Sequence, residues 1–449
     1  LTAKPLDQLL NETNSSTDYY VTHLAEVDKT NSIVATEEIK TEQNVLLVKK
    51  GARITADIAQ RILKHKLIKP IEQQVQIENG LDGKSLFLQF ERILETYPDL
   101  KQLYENNGYK QAFIKLVKSY ILSPLLSQKL TVFSQQMPAH FDKTLVCTLL
   151  ALNIAYKASL YNDAFITTYL AGLSHDLGFL HISPEIFSNQ EQLSAQEWRA
   201  IQSHVITGYI FANIIERDYK KEVATAVLDH HERCDGSGYP MGKKEPQLSL
   251  ISQIIGIADS LQAIRINQFE SVGRNLRDAL SFLKMNPTTY THTVYRAAVS
   301  AIKSIPETNN LVSPFKDTAD LIQHLIARGE KLTNASLIIQ LLLQLTNDLD
   351  LRKDGEAMLH VIAPFDKMIK ESGLVEEHIL IWLEHVKNTD GYDPVNELCE
   401  LELMQNELYW QLKKARNTYV NFLEREPNAG SVDMMLHLKT ISTELNGFL

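Results

Sequence analysis

A chain of 449 residues, 44% hydrophobic and 22% charged, has the composition of an ordinary globular protein and is long enough for several cores. Its formal net charge of −10 excludes the broad basic field that binding to a nucleic-acid polymer needs. Cys147, Cys234 and Cys399 are scattered and odd in number, so they build neither a disulfide framework nor a paired-cysteine zinc knuckle, which fits a reducing cytoplasm.

Residues 1–84 read as a small mixed α/β domain. Tyr20-Val21-Thr22-His23-Leu24 and Val45-Leu46-Leu47-Val48 predict short strands, and Lys50-Gly51 predicts a turn. A helix is expected from Ala56, with Ile58, Ile62 and Leu63 on its apolar face. The run Lys64-His65-Lys66-Leu67-Ile68-Lys69 reads as a solvated helix end rather than an anion site. Asn79-Gly80 and Asp82-Gly83 mark a boundary. Residues 85–305 read almost wholly as helix, with Phe87, Phe90, Ile93 and Leu94 at a 3.6-residue period, and Leu145, Leu149, Ile154 and Ala155 likewise.

Residues 306–449 predict a C-terminal helical bundle. Its apolar run Leu337-Ile338-Ile339-Gln340-Leu341-Leu342-Leu343 is broken by Gln340 and is far shorter than the ~20 residues a membrane span requires. Leu401, Met404, Leu408, Leu412, Ala415, Tyr419 and Phe422 step by threes and fours, and Pro427-Asn428-Ala429-Gly430 turns the chain into a last helix. Such a hairpin packs within its own chain, or serves as a homodimer or protein-partner seam. The fold class expected is therefore mainly α.

The chemistry-bearing residues cluster between 175 and 259. His175-Asp176 closes an apolar helix, and His204 lies in the helical pattern Trp198-Arg199-Ala200-Ile201-Gln202-Ser203-His204. His230-His231 then leads into Glu232-Arg233-Cys234-Asp235-Gly236-Ser237-Gly238-Tyr239-Pro240, a stretch constrained by two glycines and a proline. Asp259 sits in the apolar helix Ile255-Gly256-Ile257-Ala258-Asp259, where a bare carboxylate is costly. Each residue alone reads more readily as a satisfied core group. Together, imidazoles and carboxylates on convergent helices suit iron, manganese, zinc or nickel. Two carboxylates carry charge for two ions, with Asp176 able to offer one oxygen to each.

In order and spacing these residues resemble the HD-GYP family, a branch of the HD superfamily of metal-dependent phosphohydrolases. The resemblance covers about residues 130 to 300 and is carried most specifically by HHERCDGSGYP. It implies an all-helical HD-superfamily core, two divalent transition-metal ions (iron or manganese first, zinc or nickel next), and hydrolysis of cyclic di-GMP in bacterial signal transduction. Carried over by position, it makes His175, Asp176 and Asp259 ligands of one ion. Asp176 then bridges to a second ion held by His204, His230 and His231, and His175 and Asp176 are the catalytic pair. Gly236, Gly238 and Tyr239 become ligand-contacting residues, with turn N–H groups facing phosphate oxygens.

Three positions depart from the family pattern, and a fourth from that of some members. The upstream metal-binding histidine falls on Lys143, whose ammonium cannot ligate a metal but can hold a phosphate; His140, on the same helix face, is the candidate substitute ligand. A third-metal glutamate falls on Ala139. The lysine that follows the HD pair is Phe179, and the substrate-gripping arginine is Gln268, with Arg265 one turn away as its replacement. These changes leave open a second reading, a degenerate module that binds metal, nucleotide or a protein partner without turnover.

Overall fold

A computed structural model of the chain describes residues 19–105, 108–188, 194–215, 219–306, 313–346, 353–387, 394–425 and 432–447. Its first element corrects the sequence reading: Tyr20–Val27 is a helix, α1, not a strand. Over five residues, Tyr20 and Val21 look β-like; extended to Val27, the apolar positions Tyr20, Leu24 and Val27 form a helical stripe, and all three are buried. Four short strands follow: β1 (Ile33–Ala35), β2 (Ile39–Lys40), β3 (Leu46–Val48) and β4 (Val75–Ile77). They pair as two antiparallel ribbons, β1 with β4 (Ile33 opposite Ile77) and β2 with β3 (Ile39 opposite Val48). Between β3 and α2 (Ala56–Ile62), Gly51 takes the turn at φ +79°, and the 64–69 run after α2 is mostly exposed.

The helical part opens with α3 (Gly83–Thr96), whose capping box pairs Asp82 with Ser85. It continues through α4 (Pro98–Tyr104), α5 (Tyr109–Ser119), α6 (Pro124–Gln136), α7 (Pro138–Lys157) and α8 (Asp163–Ser174). Next come α9 (Pro184–Ser188), α10 (Ala195–Gln202), α11 (His204–Ile215), α12 (Lys220–Asp229) and α13 (Leu250–Ile264). The region ends with α14 (Leu280–Met285) and α15 (His292–Lys303). Helix α7 is buried continuously from Thr144 to Ala155 and is packed by α8, α13 and α15, so it is the axle of this region. The continuous helix expected through Trp198–His204 is instead broken at Ser203, whose hydroxyl donates to the Ala200 carbonyl. The break lets His204 open α11, a helix that packs along α12.

One apolar core contains residues from Tyr20 to Ile305 together. At its inner edge lies a buried cation. Lys129 of α6 is 0% exposed, its Nζ 2.9 Å from His181 Nε2 and 3.7 Å from Glu72 Oε1. The ammonium sits over the rings of Tyr20 (3.4 Å) and Phe211 (3.8 Å), a desolvated cation–π arrangement.

A second core gathers α16 (Thr318–Thr346), α17 (Lys353–Ser372), α18 (Glu377–Lys387), α19 (Val395–Arg425) and α20 (Val432–Gly447). The stripe expected along α19 is buried at Leu401, Leu408, Leu412, Ala415, Tyr419 and Phe422, and Tyr419 donates from its hydroxyl to the Leu438 carbonyl of α20 at 2.6 Å. The predicted turn at 427–430 lies outside the described residues. The bundle docks on α14 through α19, where Arg274 and Glu402 form a buried ion pair at 2.8 Å. Arg274→Ala is expected to cost about 3–5 kcal/mol, because Glu402 is then left buried without its countercharge. Denaturant unfolding of the variant beside Glu402→Gln checks this. Among the described residues, no helix is long and apolar enough to cross a membrane.

Candidate metal centre

Five segments deliver the predicted ligands to one place. His175 follows the end of α8, Asp176 begins the tight turn Leu177–His181, His204 opens α11, His230 and His231 leave α12, and Asp259 projects from α13. Glycines allow the approach. A methyl group on Gly178 would sit 2.0 Å from the His204 carbonyl oxygen, and one on Gly256 would sit 2.3 Å from that of His230. Only a residue without a side chain fits where one ligand-bearing backbone crosses another.

The imidazoles are held in one pattern. His175, His204 and His230 each place Nδ1 2.7 Å from the carbonyl three residues back, that of Gly172, Ile201 and Val227 respectively. A carbonyl only accepts, so the proton sits on Nδ1 and Nε2 carries a free lone pair, the tautomer a metal ligand needs. Burial drives His204 down to about 3 and holds His230 and His231 well below the ordinary imidazole value, with neighbouring imidazoles adding to the effect. At neutral pH these rings are uncharged.

Their ligand atoms fall into two groups. His204, His230 and His231 form one; His175, Asp259 and Cys147 form the other, and within each the atoms lie within 4.8 Å of one another. Asp176 stands between, with Oδ1 3.6 Å from His204 Nε2 and Oδ2 3.4 Å from His175 Nε2. Burial pushes the Asp176 carboxyl up to about 6, and it also raises Asp259. His175 Nε2 is fully buried with no hydrogen bond. A buried lone pair without a donor and two carboxylates facing neutral imidazoles fit divalent transition-metal ions, which would satisfy all of them at once.

The glycine loop is anchored from below. The Glu232 carboxylate accepts from the backbone N–H of Met241 at 2.6 Å and of Lys243 at 2.9 Å, and Lys243 Nζ reaches both oxygens of buried Asp229 at 2.7 Å. Arg233 donates to the carbonyls of His230 (3.0 Å) and Glu232 (2.8 Å) and to Ser260 Oγ (3.2 Å). Gly236 has φ +82°, and a methyl group on Gly238 would sit 2.4 Å from the His231 carbonyl oxygen. Tyr239 stacks on His231 with ring centroids 4.6 Å apart, so the loop lies against the second ligand group.

The remaining predicted residues divide. Lys143 is near enough for its charge to oppose, weakly, the rise that burial imposes on the Asp176 and Asp259 carboxyls. Arg265 is corrected: it is buried against Asp99 (Nε–Oδ2 3.1 Å) with its guanidinium over Tyr97, so it ties α13 to α4 and has no free face for a substrate. His140 packs against Phe179 and Phe187 and belongs to neither ligand group. Phe179, in the place of the family lysine, stacks on His204 at 4.2 Å. Sequence reading gave no role to Cys147, Glu232 or Arg233. The one signal for Cys147 is its place four residues past Lys143 on the same helix face, which by itself does not separate a ligand from a core cysteine.

Residues 120–293 match the family described as an HD domain. A 3'3'-cGAMP-specific phosphodiesterase of Vibrio cholerae is 25% identical over 243 residues, 54% of this chain and 50% of that protein. A cyclic di-GMP phosphodiesterase of Pseudomonas aeruginosa is 28% identical over 163 residues, 36% of this chain and 38% of that protein. The crystal structure of a cyclic GMP-AMP-specific phosphodiesterase of Vibrio cholerae aligns over 72% of this chain and 95% of its own at 12% identity, with a TM-score of 0.29. The chain thus spans half or less of the length of these curated relatives. The HD pair, the later histidines, the glycine–tyrosine–proline loop and the closing aspartate all lie on that matched segment, so residues 120–293 of this chain are an HD domain.

Proposed function

We propose that this protein hydrolyses a cyclic dinucleotide, cyclic di-GMP first among them, in a metal-dependent reaction. The observation that carries this is the position of Asp176, one oxygen toward each of two ligand groups. His175, Asp176 and Asp259 would hold one ion, and Asp176, His204, His230 and His231 the other. A pair of such ions, when bound, activates water and neutralises charge on a phosphodiester. The chain's own residues do the rest. Lys143 offers a cation for a phosphate oxygen and Tyr239 covers the ligand from above His231, whereas the expected turn donors are spent inside the loop: the Gly236 N–H donates to the Arg233 carbonyl and the Ser237 N–H to Asp235 Oδ1, both at 2.8 Å. The relatives' names, cyclic di-GMP and 3'3'-cGAMP phosphodiesterases, support the substrate class. We also take residues 1–84, 85–305 and 306–449 as the three functional units, with the last as the surface for a second copy or a protein partner.

The test is a product assay on cyclic di-GMP and 3'3'-cGAMP with manganese or iron(II) added. Linear dinucleotide or mononucleotide should appear from one or both. One observation favours a second reading, binding without turnover: Phe179 stands where the family lysine would neutralise a phosphate, and it is packed on His204. Nucleotide retained by the metal-loaded protein with no product would select that reading.

A further inference from the structure

The two ligand groups are chemically unlike. The second is made of three imidazoles, while the first contains one imidazole, one carboxylate and the thiol of Cys147. Cys147 lies in the middle of α7 and is 0% exposed. Its Sγ has one contact of its own, a long one of 3.8 Å to the Ile255 carbonyl. Opposite it, His175 has committed Nδ1 to Gly172, while Nε2 is buried in the same space without a hydrogen bond. Lys143, where the family histidine would stand, is one helical turn before Cys147. Position 147 therefore presents a side chain from the same helix to the same half of the centre.

We propose that Cys147 is a ligand of the first metal ion, its thiolate taking the coordination position that Lys143 leaves unfilled, beside His175, Asp259 and Oδ2 of Asp176. This rests on the cluster being a two-metal centre. On binding, the sulfur–hydrogen bond is replaced by a sulfur–metal bond, and the proton leaves to solvent. The consequence is metal choice. A thiolate favours iron(II), zinc or cobalt over manganese or magnesium at the first position, while the three-imidazole set accepts all the transition ions. The centre then takes two different metals more readily than two alike.

Anaerobic titration of the metal-free full-length protein with cobalt(II) tests this without reference to activity. The parent should take up cobalt with a near-ultraviolet sulfur-to-cobalt charge-transfer band. Cys147→Ser and Cys147→Ala should lose the band and bind one ion fewer, whereas Cys234→Ser, Cys399→Ser and His204→Ala should keep it. Cobalt uptake by the parent without that band overturns the role of Cys147 and leaves the two-metal reading standing. No uptake at all by the parent overturns both. Because the parent spectrum and the His204→Ala control decide the matter, the outcome holds even if a Cys147 variant fails to fold.

Discussion

Asp176→Ala is expected to abolish hydrolysis and to lower metal affinity by more than about 100-fold, beyond what loss of a supporting contact alone costs. The residue is the link between both ligand groups, 3.6 Å from His204 Nε2 and 3.4 Å from His175 Nε2, so its removal weakens both ions rather than one. His230→Ala should instead spare the group containing His175. Metal analysis after dialysis distinguishes the two variants, and product formation that survives both substitutions would rule out the site. Asp176→Asn adds a stability signature. Burial raises the carboxyl from 3.8 to about 6, so the folded metal-free protein binds that proton more tightly than the unfolded chain does. The stabilising contribution is complete below pH 3.8 and is lost as pH rises through about 6. Asparagine, which never ionises, should therefore raise the melting temperature of the metal-free protein at pH 7 to 8 and change it little near pH 4. A melting temperature at pH 8 that falls in this variant would contradict the assignment of Asp176 as a residue kept at a cost to stability for its ligand role.

Gly178→Ala is the second large effect, and it acts through backbone rather than chemistry. The new methyl would lie 2.0 Å from the His204 carbonyl oxygen, 2.7 Å from its carbonyl carbon and 2.9 Å from its Cα. None of these atoms belongs to a flexible side chain, so the turn after Asp176 and the start of α11 must separate. A loss of more than about 3 kcal/mol is expected, the upper range for overpacking a core. Any folded fraction should bind metal less tightly, because His204 is carried off with its backbone. Gly273→Ala is the matched control. It has φ +73° with nothing within 4 Å of an added methyl, so it should cost only about 1–2 kcal/mol of left-handed strain and leave metal binding intact. Equal effects of the two substitutions on metal affinity would show that the close crossing at Gly178 is not what positions His204.

Much of the site was legible because its residues come in short, unusual strings. His175-Asp176 and His230-His231 with the glycine loop need no knowledge of packing to stand out, and the structure places them within one cluster. What could not be read was which spare cations and sulfur reach that cluster. Arg265 and Lys143 are alike in sequence as basic residues near a motif. Only the fold shows that Arg265 is spent on Asp99, which lies on a helix far away in sequence, while the charge of Lys143 acts on both site carboxylates. Cys147 was hidden for the opposite reason, since one cysteine in an apolar helix is indistinguishable from core until its neighbours are known. In the fold, helix period succeeded wherever the stripe was long, as along α19, and failed at Tyr20–Leu24, where five residues are too few to separate a period of two from one of 3.6.

Lys129 welds the front of the chain to the segment that carries the HD pair. Tyr20 and Glu72 from the N-terminal residues and Phe211 and His181 from the helical part all meet at its ammonium, and His181 ends the same short turn that Asp176 begins. A chain begun at residue 85 would take Tyr20 and Glu72 away from that ammonium and remove the Tyr20 ring that stacks on His181 with centroids 5.2 Å apart. The N-terminal unit is thus a cover plate rather than an appendage, and any event that lifts it loosens the floor on which Asp176 stands.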